Sequence, residues 1–150
     1  MKTKKWKGPA NSIFLGIFVI IMGFSFTSCS NKIPFLNSSV VPAAIGYVKV
    51  KNDKNKNFVI NLKVTDLAEV ERLGTSKLTY VAWMETDRGE MKNLGQLNSS
   101  TSFLSKRHSA SLETISSFTP TRIFITSEFD INVENPGNQV VLTTENFTVK

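Results

Sequence analysis

Between Ile45 and Thr144 the apolar residues fall at every second position in run after run, and helical spacing is scarce. This period limits the fold most. Successive side chains of a strand point to opposite faces, so alternation marks a sheet with one face buried. In Phe58 to Thr65 the residues Phe58, Ile60, Leu62 and Val64 share one face, with Asn61, Lys63 and Thr65 on the other. In Ile45 to Lys51, Val48 and Val50 oppose Lys49 and Lys51. The polar run Asn52 to Asn57 between them predicts a hairpin. Further strands are predicted at Thr79–Thr86, Met91–Leu97, Ser109–Ile115, Arg122–Glu128 and Gln139–Thr144.

The connections read as turns and loops. Gly89 in Asp87-Arg88-Gly89-Glu90 supplies the positive φ of a tight hairpin. Asn135-Pro136-Gly137-Asn138 is a turn sequence. Asp66 to Leu78 predicts a loop with a short helical turn, Asn98 to Ser102 a polar loop, and Glu145 to Lys150 a frayed end. The expectation is an all-β, immunoglobulin-like antiparallel β-sandwich of about seven strands over 44–150, preceded by a signal peptide. Its expected core includes Trp83, Val81, Ile60, Leu62, Phe124 and Val141.

The first 28 residues have a different grammar. Lys2, Lys4, Lys5 and Lys7 precede an apolar run from Ile13 to Phe26. A helix that spans hydrocarbon needs about 20 residues and a signal-peptide core about 7–15, so the length favours a signal. The run ends in Phe26-Thr27-Ser28-Cys29-Ser30. Small residues directly before a cysteine resemble the lipobox of bacterial lipoproteins, although Phe26 stands where that family usually has Leu. The resemblance implies a diacylglycerol on the Cys29 thiol and cleavage that leaves Cys29 as the N-terminus. An uncleaved signal anchor is the alternative, and both put the lysines in the cytoplasm and the body of the chain outside.

Three segments follow: a lipoprotein signal peptide over 1–28, a lipidated tether over 29–43, and a sandwich over 44–150. Pro34, Pro42 and the small polar residues of Ser30 to Ala43 make the tether reading. Ser30-Asn31-Lys32 contains no acidic residue, which resembles lipoproteins that face the periplasm. The expected address is the bacterial cell envelope, lipid-anchored, on the outer membrane. The chain has one cysteine, so a lipidated Cys29 leaves the domain without a disulfide.

Tyr80-Val81-Ala82-Trp83, Asp87-Arg88-Gly89, Lys92-Asn93-Leu94-Gly95 and Pro136-Gly137-Asn138-Gln139-Val140-Val141-Leu142 carry a second resemblance. Over Thr79 to Thr144 the chain resembles small Bacteroidota lipoproteins with an immunoglobulin-like domain. More distantly it resembles the extracytoplasmic β-sandwich of anti-sigma-K-type factors. It lacks the cytoplasmic sigma-binding region and the internal membrane helix of the latter, so sigma regulation is not implied. The resemblance implies fold more than activity.

Charge narrows the partners. Of 18 Lys+Arg, four precede Cys29; the remaining 14 face 12 Asp+Glu, a net of +2. Nucleic-acid binding normally needs a concentrated basic face and is not expected. Lys49, Lys51, Lys54, Lys56 and Lys63 mark the first hairpin. They read foremost as lysines that protect an edge strand, with contact to anionic lipid headgroups as the other reading.

Catalytic patterns are sparse. His108 is the only histidine and follows Lys106 and Arg107, as in a solvated basic loop. No Gly-x-Ser-x-Gly elbow and no phosphate-binding glycine loop occurs. One histidine and one cysteine do not make a zinc set. Glu85, Asp87, Glu128 and Asp130 form two acidic strand ends. Calcium would need about six oxygens, and glycoside hydrolysis a facing carboxylate pair with aromatic walls. The expected function is therefore a non-enzymatic interaction or accessory domain without cofactor or metal. It is held to the membrane through the lipid on Cys29 and meets an envelope protein or glycan. The competing expectation is a small envelope hydrolase that uses the four acidic residues.

Overall fold

The computed structural model describes residues 32–73, 79–101 and 108–149. Nine strands lie among them: β1 (Lys32–Pro34), β2 (Ile45–Asn52), β3 (Phe58–Thr65), β4 (Thr79–Thr86), β5 (Met91–Gln96), β6 (Asn98–Thr101), β7 (His108–Ser116), β8 (Pro120–Glu128) and β9 (Val140–Thr143). A single 3-10 turn, Val70–Leu73, occupies the connection between β3 and β4. The strands form a five-stranded sheet, β1-β2-β3-β7-β6, and a four-stranded sheet, β5-β4-β8-β9. All pairings are antiparallel, and the two sheets pack into an all-β sandwich.

Two strands exceed the seven expected. β6 is polar and lies at the edge of its sheet, where backbone pairing with β7 alone defines it; alternation gives no signal there. β1 comes from the segment expected as a tether. Its register pairs Lys32 with Lys49 and Pro34 with Tyr47, and Ile33 packs on the core. Phe35 bridges to Thr144, and Leu36 donates its N–H to Thr143 O. Ser38 donates its hydroxyl to Val141 O at 2.5 Å and accepts the N–H groups of Val40 and Val41. Val41 and Ala44 are buried. Residues 32–43 are thus part of the domain, because Ile33, Phe35 and Val41 contribute apolar surface between the polar positions. The end expected to fray is also attached: Phe147 donates its N–H to Thr121 O and packs on the core.

The core between the sheets is built from alternate residues. Val48, Ile60, Leu62 and Val64 come from the first sheet; Ala82, Met84, Ile123, Ile125 and Leu142 come from the second. Each fully buried aliphatic side chain contributes about 1.5–3 kcal/mol. Pro120 opens β8, the strand position where a missing N–H costs least.

All six residues expected in the core are buried, but they divide between two layers. Ile60, Leu62 and Val141 lie between the sheets, whereas Val81, Trp83 and Phe124 lie on the outward face of the β4–β8 ribbon. Period two places Val81 and Trp83 opposite to Tyr80, Ala82 and Met84. Val133, from the β8–β9 connection, packs over this outer layer. Asn93 fastens the connection by donating its side-chain amide to Ile131 O and Val133 O, both at 3.0 Å. The ribbon is buried on both faces.

Candidate functional site

The outer layer of the ribbon brings polar and aromatic groups into one column. The Trp83 and Phe124 rings stack, with centroids 6.4 Å apart and planes 14° from parallel. The Arg122 guanidinium stands 5.4 Å over the Phe124 ring and donates from Nε to Glu85 Oε2 at 2.8 Å. At the other end, the indole N–H of Trp83 donates to Thr126 Oγ1 at 2.8 Å. Thr126 in turn donates its hydroxyl to Glu128 Oε1 at 2.5 Å, and the same oxygen accepts the Gly137 N–H at 2.7 Å. Glu128 is only 3% exposed, so these donors satisfy a carboxylate taken out of water.

The four acidic candidates are divided by this column. Glu85 pairs with Arg122 across the ribbon, and Glu128 lies opposite Thr79. Those positions are six residues apart along β4, about 20 Å at ~3.3 Å per residue. A hydrolytic carboxylate pair stands about 5–10 Å apart. Asp87 lies in the exposed β4–β5 turn, where its N–H donates to Thr119 O. Asp130 is exposed and caps a local turn by accepting the Asn132 N–H at 2.9 Å. The structure therefore does not bring the two acidic groups together. Glu85 and Glu128 have structural partners instead. Cys29, the expected lipid site, lies outside the described residues.

A second grouping has no signal in the sequence, because its members are far apart along the chain. At one end of the sandwich a cavity of about 180 Å³ is lined by Leu67, Glu69, Thr79, Tyr80, Gln96 and His108, among others. His108 opens β7, and its Nε2 lies 3.8 Å from Glu69 Oε1. Glu69 also meets Arg72 Nε at 3.2 Å. The Tyr80 hydroxyl donates to Ala68 O at 2.9 Å, which ties the β3–β4 connection to β4. The cavity is smaller than the ~300–1,000 Å³ of ordinary small-molecule pockets. Among the described residues no three His, Cys, Asp or Glu side chains gather as a metal set. No helix among them is long and apolar enough to cross a membrane.

Comparison with protein-family models, curated proteins and solved structures gives no match to this chain.

Proposed function

We propose that the chain is a lipid-anchored protein of the bacterial cell envelope, and that its β-sandwich is a non-enzymatic interaction module held close to the membrane. The observation that carries this reading is the start of β1. Lys32 is already paired with Lys49, three residues after Cys29 in the sequence. Three residues reach about 10 Å at most. A lipid on Cys29 would therefore hold the folded body at the membrane rather than at the end of a long tether.

The charged start, the short apolar run and Thr27-Ser28 before Cys29 support the same reading. So does the resemblance to periplasm-facing lipoproteins with immunoglobulin-like domains. The structural use of Glu85 and Glu128 favours a binding role over a hydrolytic one. The module meets an envelope protein or a glycan through its loops or a strand edge, and needs no cofactor to do so.

Intact mass of the membrane-extracted chain tests the anchor. The expected species begins at Cys29 and carries a diacylglycerol, and Cys29→Ala loses that mass and leaves the membrane fraction. A mature N-terminus elsewhere, or a Cys29→Ala chain with unchanged mass and retention, overturns the reading.

A further inference from the structure

We propose that the outward face of the β1–β2–β3 part of the first sheet lies on an anionic phospholipid surface. The registers put Lys32, Lys49, Lys51 and Lys63 on this face together with Tyr47. Lys32 Nζ stands 4.6 Å and Lys49 Nζ 5.6 Å from the centre of the Tyr47 ring. Their strand neighbours Val48, Leu62 and Val64 point inward and are buried.

Charge complementarity selects the occupant. Among the outward strand residues of β1, β2, β3 and β7, Glu113 is the one acid against four lysines. Among the described residues none of these lysines is in a salt bridge. Ile45 at 60% and Ile115 at 64% exposure flank the lysines on the same face. Cations bordered by apolar side chains suit the boundary between headgroups and acyl chains.

Edge protection does not account for Lys49 and Lys63. Lys49 is paired on both sides, with Lys32 and Asn61, and Lys63 is paired with Tyr47 and Ser111. Both therefore stand inside the sheet, whereas Lys32 lies on the edge strand β1 and Lys51 where β2 runs past the end of β1.

The attachment proposed at Cys29 would put a membrane surface beside this face. Thirty-one residues precede Lys32; their apolar run ends at Phe26, and Cys29 follows. Lys32 itself belongs to the face. The inference rests on the membrane attachment proposed above. It adds that the sandwich lies on its basic sheet, with the β4–β8 ribbon turned away and Lys92 on the second sheet, one sheet spacing (~10 Å) behind that face. A lysine at an anionic surface contributes about fivefold in partitioning, and the effect fades over about 8 Å at physiological salt.

Lysine acetylation of the full chain on preformed vesicles, read by peptide mass, tests the orientation. On vesicles containing phosphatidylglycerol, Lys49, Lys51 and Lys63 are expected to react at least about threefold more slowly than on pure phosphatidylcholine. Lys92 should be unchanged, and high salt should remove the protection. The K49E/K63E chain, checked for folding by its thermal transition, should lose it too. Equal rates on both vesicles, or equal protection of Lys92, overturn the inference. Flotation on pure phosphatidylcholine reports attachment separately. A chain that floats there without lysine protection keeps its anchor and loses this inference. A chain that fails to float there, but binds anionic vesicles with the lysines protected, does the reverse.

Discussion

Gly137 donates its backbone N–H to the buried Glu128 carboxylate at 2.7 Å, and its Cα lies so close that a Cβ there would stand 2.8 Å from Glu128 Oε2. Close approach, rather than a left-handed backbone, is what requires glycine at this turn. Gly137→Ala must shift either the turn or the Glu128 carboxyl end, and either shift weakens the bond from the Gly137 N–H. The expected loss is about 1–3 kcal/mol, read from the midpoint of urea denaturation. An unchanged midpoint would show that the turn accommodates the methyl group without moving.

Thr126 accepts from Trp83 and donates to Glu128. Thr126→Val keeps the shape, strands the indole N–H and takes from the carboxylate one of its two donors, leaving the Gly137 N–H. It should cost about 2–4 kcal/mol by the price of unsatisfied buried polar groups. Trp83→Phe removes the indole donor but leaves a ring against Phe124. The double variant should cost less than the sum of the two, since one bond is counted in both. Strict additivity in the double-mutant cycle would mean that the Trp83–Thr126 bond contributes nothing.

Ser38 ties the segment after β1 to β9 through Val141 O. Ser38→Ala should destabilise the whole domain by about 1–2 kcal/mol. It should also speed proteolysis within residues 36–43. Rapid cleavage there in the unsubstituted chain would mean that the segment is not fastened.

Asp53 organises the β2–β3 turn, where Lys56 takes a φ of 64°. Its carboxylate accepts the Asn57 and Asn55 N–H groups at 2.8 and 2.7 Å. The hydrogen bond from the Asn57 backbone is the main force that holds the carboxyl below its ordinary 3.8, opposed by desolvation and helped by the Asn57 side chain and the Asn55 N–H. A carboxyl depressed on folding stabilises when ionised. The turn should therefore keep its full strength above pH 3.8 and loosen as the pH falls through the lowered value. Amide exchange at Asn55 and Asn57 should follow that titration, and Asp53→Ala should abolish it. Amides insensitive to pH in that window would contradict the assignment.

The hairpin of β2 and β3 was legible because one polar turn separates two alternating runs, and Trp83 was legible as buried. The side on which Trp83 is buried was not. Alternation reports that a face is covered, but Val133 and the carbonyls bound by Asn93 come from a connection with no period of its own. Proline and serine hid β1 and its extension, although Ile33 and Phe35 alternate with Lys32 and Pro34. The acidic candidates were chosen by spacing along the chain, and spacing does not say that Glu85 and Glu128 face different partners. The Glu69–His108 approach depends on long-range packing that no local pattern encodes.

The margins of both sheets are small. β1 has three residues, and β6 and β9 have four each. β5 has six, but Leu94 is bulged out of register between Asn93 and Gly95, where Gly95 takes a φ of 116°. Among the described residues, a strand arriving from another molecule finds no long flat row of free N–H and C=O groups to copy. Copies of this domain crowded together can therefore collide repeatedly without zipping into fibres.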